Sequence, residues 1–226
     1  MGVMDIGVSA LTAFRTQLTT TSHNVANVNT EGYTRQIADL GTLPPNVKGG
    51  QYVGSGVRVL EVARQFDQFL ADRVRQYTSS DNESQVYLSR AQRVDNIIAD
   101  PDAGLSVAMQ NFFNSVQDVA DDPSSVTTRD VLISSANILS DRFQSTFEFM
   151  ESMRSEINQD MEVLTGEVNK LAESIADINA AIQTASANLG GSQPNDLLDK
   201  RDQLINQLSE MVSVSNIEQS DGSVNV

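Results

Sequence analysis

The side chains with chemistry to offer are few and scattered. The 226-residue chain has one histidine, His23, and no cysteine. A two-histidine metal site, an HExxH protease, a thiol nucleophile, a cysteine zinc site and a disulfide framework are therefore impossible within it. Acidic pairs stand at Asp121/Asp122 and Asp199/Asp202. The first reads as a helix cap and the second as an exposed helix face. Paired carboxylates could serve glycoside hydrolysis, but the chain has no Trp to offer a sugar as a platform. The glycines of Gly49-Gly50 and Gly54-Ser55-Gly56 lack the Gly-Lys-Ser/Thr of a phosphate loop, and Asp221-Gly222 lacks the spaced carboxylates of an EF-hand. His23, near Asn24 and Asn27, reads as a hydrogen-bonding or surface residue. No catalytic, cofactor-binding or metal-binding residue is expected, and no enzyme.

Composition points to helices and to protein partners. Hydrophobic residues make up 39% of the chain but aromatics only 5%, so the core is mostly aliphatic and suits narrow helical packing. Thirty acidic against fifteen basic residues give a net charge of −15, which argues against nucleic acid, because phosphate contact needs a surplus of Lys and Arg. The charge is uneven: residues 1–100 carry a net of −1 and residues 101–226 a net of −14. Either the second part is simply a solvated surface, or the near-neutral first part packs against other protein, where uncompensated charge is costly to bury. No basic leader region opens the sequence, and no apolar run approaches the roughly 20 residues that span a bilayer, so neither a cleaved leader nor membrane insertion is expected.

The elements follow from periodicity. Residues 3–28 predict a helix in which Met4, Leu11, Leu18 and Val25 recur every seven residues, with Gly7, Phe14, Thr21 and Val28 three behind them. That is a narrow seam for one or two partner helices. Its other face is rich in Thr, Ser and Gln, and alone such a helix would be marginal in water. Gly32 supplies a turn after Asn29. Arg35–Thr42 and Val57–Val62 predict strands, with Pro44-Pro45 and the glycine pairs making a loop between them. A second helix is expected from Arg64 to Ile98 with Phe66, Leu70, Val74 and Tyr77 on its stripe, ended by Asp100-Pro101-Asp102. A third covers Leu105–Ala120, and Asp121-Asp122-Pro123 is expected to cap the next.

From Phe147 to Leu189 apolar residues alternate steps of three and four, broken only by Arg154. At 1.5 Å per residue the stretch from Phe143 is roughly 70 Å of helix. Gly190-Gly191-Ser192-Gln193-Pro194 ends it, and Asn195 is expected to cap a last helix folding back antiparallel. Val212–Ile217 alternates like a strand, Asp221-Gly222 reads as a hairpin turn and Val224-Asn225-Val226 as a returning strand, so the sequence reads as the front part of something longer.

The expected fold is mainly α, an elongated antiparallel helical bundle or coiled coil with a small β-hairpin region and the start of a second β segment. Four stretches are expected: 1–34, an N-terminal helix and turn; 35–63, a β-hairpin connector; 64–212, an elongated helical bundle; 213–226, the first strands of a further domain. These features suit a structural protein. They also suit a coiled-coil binding module or an adhesin stalk.

One segment decides among these. Residues 22–36 read Ser-His-Asn-Val-Ala-Asn-Val-Asn-Thr-Glu-Gly-Tyr-Thr-Arg-Gln, directly after the first helix. With Asn24, Ala26, Asn27, Asn29, Thr30, Gly32 and Tyr33 at fixed offsets, the segment resembles the N-terminal signature of the axial proteins of the bacterial flagellum, the rod, hook and hook-associated family. Tyr33-Thr34-Arg35-Gln36 and Asn195-Asp196-Leu197-Leu198-Asp199-Lys200-Arg201-Asp202-Gln203-Leu204 resemble the hook-associated branch at the hook–filament junction more than the rod or hook proteins, which remain the nearer alternative.

The resemblance implies a structural role at that junction, needed for filament assembly. It implies that Met4, Leu11, Phe14, Leu18, Val25 and Val28 meet neighbouring subunits, and that the Asn24–Tyr33 turn sets their geometry. The partners implied are further copies of the chain, the hook protein and the second hook–filament junction protein. An export chaperone is implied only through a C-terminal part outside this sequence. The location implied is the extracellular flagellum, reached by type III export without a cleaved signal peptide.

Overall fold

The computed structural model describes residues 3–48, 50–100, 104–188, 193–219 and 222–226. Expectations resting on Gly49, Pro101, Asp102, Leu189, Gly190, Gly191, Ser192 and Asp221 lie outside the described residues. The described elements are mainly helical, with short antiparallel strand pairs. They fall into two compact units, one of residues 1–79 and 168–226, the other of residues 80–167.

In the first unit, helix α1 (Val3–Ala26) is followed by strand β1 (Gln36–Thr42), the short hairpin β2 (Asn46–Lys48) and β3 (Gln51–Val53), and β4 (Val57–Arg64). β1 pairs antiparallel with β4 from Gln36 opposite Arg64 to Thr42 opposite Val57, with a register shift between Asp39 and Leu40. The β2–β3 hairpin occupies the stretch expected to be a loop: Val47 lies opposite Tyr52, and the breakers flank this pairing rather than prevent it. β4 carries Arg64, the residue expected to start the second helix. Helix α2 (Gln68–Ile98) starts four residues later, where the Asp67 carboxylate accepts the Leu70 N–H at 3.0 Å.

The core of this unit lies between the end of helix α4 (Val126–Asn188) and helix α5 (Asn195–Met211). Ile175, Ile205, Leu208 and Val224 form the buried cluster, with Val168, Leu171, Leu204, Val212 and Val214 packed on it. Ile182 is buried on the same α4 stripe, as its three–four spacing requires. The start of α5 (Leu198) shares a cavity of about 130 Å³ with Ile182, whereas its end (Leu208) faces Val168 to Asn179 across a second groove, so the two helices run antiparallel. The last strands are shorter than expected. β5 (Ile217–Glu218) pairs with β6 (Val224–Asn225), Gly222 turns at φ +82°, and Val212–Asn216 lies outside the ladder.

Three helical segments make the second unit: α2 beyond Ser79, α3 (Leu105–Asp121) and α4 up to Glu167. Ala108 and Ser115 of α3 are buried, and Ser115 Oγ lies 2.6 Å from Ser135 Oγ of α4, a close approach that small side chains permit. Met153 is the buried α4 residue here, while Phe147 and Met161 of the expected stripe are exposed. Arg154 points outward, paired with Glu151 at 3.1 Å.

Two caps differ from expectation. Ser125, not Asp121 or Pro123, caps α4, its Oγ accepting the Thr128 N–H at 3.3 Å, while Asp122 folds onto Ser124 at 2.9 Å. Asn195 does not cap α5. It begins the helix, and its Nδ2 reaches the Val62 carbonyl at 2.6 Å instead.

Candidate functional site

Helix α1 presents two faces of opposite character, and the apolar one is turned to solvent. The face on the β1–β4 pair is small and polar: Ala13 and Thr20 are buried, and Ile6, Ser9, Thr16 and Asn24 are half-buried around them. Met4, Leu11, Phe14, Leu18 and Val25 all lie on the other side, Leu11 72% and Leu18 69% exposed, while Val28 is exposed in the turn past Ala26, where the helix stops two residues short of the expected end. Val3 and Val8 extend this surface. The seven-residue repeat read from the sequence thus marks the free side of the helix, while the partner inside the chain is a strand pair rather than a helix. Threonine makes the docked face possible. Thr16 and Thr20 hydroxyls donate to the carbonyls four residues earlier, at 3.2 and 3.0 Å, so their oxygens enter the contact already satisfied.

α1 is tied down at both ends. Near its start, Ser9 Oγ donates to Ile6 O at 2.8 Å and accepts the Val57 N–H at 3.3 Å. Gly56, at φ +110°, brings its backbone so close that any Cβ there would collide with Ser9 Oγ. Near its end, Asn24 Nδ2 donates to Gln36 O at 2.8 Å, while Asn24 Oδ1 accepts the Gln36 N–H at 2.9 Å and the Tyr33 hydroxyl at 2.7 Å. One amide side chain continues the edge of β1 as another strand would.

The remaining signature residues build the turn between these bonds. Asn27 Nδ2 donates to His23 O at 3.0 Å, and Asn27 Oδ1 accepts from Thr30 Oγ1 at 3.2 Å. Gly32 sits at φ +77° with the Gln203 side chain against it, a backbone region and a space that suit glycine. His23 and Tyr33 meet edge to face with ring centroids 5.5 Å apart. Ala26 and Asn29 are exposed at the helix end and in the turn.

Sequence reasoning misses the other half of this joint. Asp199 and Asp202 are expected to face solvent, but Asp199 is buried. Its Oδ2 accepts the Thr34 N–H at 3.0 Å, and Arg64 Nη1 bridges Asp199 Oδ1 and Asp202 Oδ2 at 2.8 Å each. Arg75, the buried residue of α2, binds Asp202 Oδ1 at 3.1 Å, Asp72 Oδ1 at 3.0 Å and Asn206 Oδ1 at 2.7 Å. By contrast Phe66, Leu70, Val74 and Tyr77, expected as the packing stripe of α2, are exposed. Burial first, then the charges of Asp199 and Asp196, push the Tyr33 phenol above its ordinary range. Among the described residues no group of three or more His, Cys, Asp or Glu is placed to hold a metal ion, and no helix is long and apolar enough to cross a membrane.

Known proteins match both halves of this arrangement. Residues 4–34, which hold α1 and its turn, match the family model of the flagella basal body rod protein. Residues 91–226 match that of the flagellar hook-associated protein FlgK helical domain. The chain is 31% identical over 219 residues to flagellar hook-associated protein 1 of Salmonella typhimurium strain LT2, covering 97% of this chain and 40% of that relative. It is 30% identical over 216 residues to the protein of the same name from Bacillus subtilis strain 168, covering 91% and 42%. The chain therefore spans about 40% of the length of the curated relatives it matches. The solved structure of the flagellar hook junction protein FlgK from Burkholderia pseudomallei shares the fold, with a TM-score of 0.59 over 69% of this chain and 27% of its own, at 22% identity. With more than half of its residues on that helical-domain model, the chain belongs to the flagellar hook-associated protein FlgK family.

Proposed function

We propose that the chain is a structural element of the bacterial flagellum that helps to form the junction between hook and filament, is needed for filament assembly, and performs no catalysis. The observation that carries this reading is the orientation of α1. A helix that docks by its threonines and turns Met4, Leu11, Phe14, Leu18 and Val25 to solvent, with Val28 exposed in the turn beyond it, is built to be covered by something else. Full burial of each large side chain contributes about 1.5–3 kcal/mol. Six of them together contribute on the order of 10 kcal/mol, comparable with the cost of bringing subunits together.

On this reading residues 1–34 form the axial-core element and 35–63 the connector that orients it. Residues 64–212 are the outer helical domain, and 213–226 the first strands of a further domain. The neighbours are other copies of the chain, the hook protein on one side and the second hook–filament junction protein on the other. The site of action is the extracellular flagellum, reached by type III export, and an export chaperone engages a C-terminal part outside these residues. The name shared by the relatives supports a hook-associated role. The rod-protein match over residues 4–34 supports assigning α1 to the axial structure.

The test exchanges Leu11 and Leu18 for Asp in the protein produced by motile cells. The expected outcome is unchanged helicity in the purified protein and loss of filaments from the cells. Normal filaments would refute the assignment of this face.

A further inference from the structure

The block made by α1, β1 and β4 meets α5 through polar groups. Asp199 takes the Thr34 N–H and Arg64 Nη1, at 3.0 and 2.8 Å. Asn195 Nδ2 reaches Val62 O at 2.6 Å. Gln36 Nε2 lies 3.4 Å and His23 Nε2 3.8 Å from Asp196 Oδ1. The buried apolar cluster of the same unit and the hydrophobic residues packed on it come from α4, α5 and the residues after α5, and none comes from the block.

After β4 the chain reaches α2 through Gln65–Asp67: the Gln65 N–H still donates to Arg35 O at 2.7 Å and Asp67 caps α2, so Phe66 is the link between the last strand bond and the helix cap. Arg64 and Asp199 are 9% and 8% exposed, so the charged contact is dry. Its charge-assisted hydrogen bonds are directional: they hold one geometry firmly and are exchanged for bonds to water once that geometry is lost. Apolar packing, being non-directional, would let the surfaces slide without parting.

We propose that this joint is a conformational latch with Asp199 as its post. Closed, it fixes the direction in which α1 presents its free face. Open, it lets the α1–hairpin block swing about Phe66 while the block and the α4–α5 core each stay folded. The charge chain behind the post, Arg64 to Asp202 to Arg75 to Asp72, ties the latch to α2, so the closed state is braced from two helices. The latch does not depend on the assembly reading, because it concerns contacts within one chain.

The chain has no cysteine, so Thr12→Cys and Gln207→Cys place spin labels on exposed positions of α1 and α5 without interference. Electron–electron double resonance on the labelled protein is compared with the same protein carrying Asp199→Ala or Asp199→Asn. Hydrogen exchange is followed at Gln36–Thr42 and Ile205–Leu208. The expected result is a narrow distance distribution in the parent and at least a twofold broadening in one or both variants, with exchange protection kept in both segments. A narrow distribution in both variants overturns the latch, as does broadening that appears only where protection is lost.

Discussion

Asn24 holds Gln36 by both of its main-chain groups, donating to the carbonyl at 2.8 Å and accepting the N–H at 2.9 Å. These residues are twelve apart and lie on different elements, so one side chain sets where the strand begins relative to the helix end. Replacing Asn24 with Ala leaves two main-chain groups and the Tyr33 hydroxyl without that partner, a cost of about 1–3 kcal/mol. Hydrogen exchange at Gln36 and along the end of α1 should accelerate, while Ile205–Leu208 in the α4–α5 core stays protected.

Gly32→Ala tests the turn itself. At φ +77° an alanine costs about 1–2 kcal/mol, and its methyl would press on Gln203. The Thr34 amide, donated to Asp199, should exchange roughly five- to thirtyfold faster. An unchanged rate would mean that the turn does not position Thr34.

In the second unit the ion cluster of Arg90, Arg93, Glu156 and Asp160 gives a pH dependence. Both Arg93 Nη atoms donate to Glu156 at 2.9 Å, and Arg90 joins at 2.8 Å. Hydrogen bonds from Arg93, then Arg90, lower the Glu156 pKa from 4.5 to about 2. Because the folded value is the depressed one, the stabilisation is fully present above about pH 4.5 and is lost as pH falls toward 2. Thermal unfolding measured between pH 6 and 2 should show this loss, and Glu156→Gln should flatten it. An equal slope in the variant would show that the cluster contributes nothing in solution.

What is legible in the sequence follows from the physics of each contact. The α4 stripe through Ile175 and Ile182 is readable because aliphatic residues spaced three and four apart line one side of a helix, the side that a neighbouring helix covers. The face of α1 is readable but not its docking, since apolar spacing marks the side that water disfavours. Here the contact inside the chain is made by Ala13 and Thr20 instead. Asp199 cannot be read, because a carboxylate on a helix looks solvated until its partners are known. Thr34 and Arg64 lie 165 and 135 residues away in the chain. The sequence carries one weak signal: Asp199 and Asp202 stand three apart on a helix, hence side by side, where a shared cation can bridge them. That Arg64 and Arg75 both converge on this turn of α5 is a fact of space, which no local window reveals.

Leu18→Asp separates folding from assembly. Leu18 is exposed, so unfolding of the isolated chain should shift by no more than about 0.5 kcal/mol. Sedimentation of the parent and the variant at increasing concentration should show any self-association in the parent only. A strongly destabilised variant would mean that the face is already covered within the chain.

The proposed location at the hook–filament junction can be seen by immunogold electron microscopy of intact flagella, using an antibody raised against residues 64–212. A narrow band of label where hook meets filament is the expected result. Label spread along the hook or rod, or flagella free of label in cells that produce the protein, would contradict it.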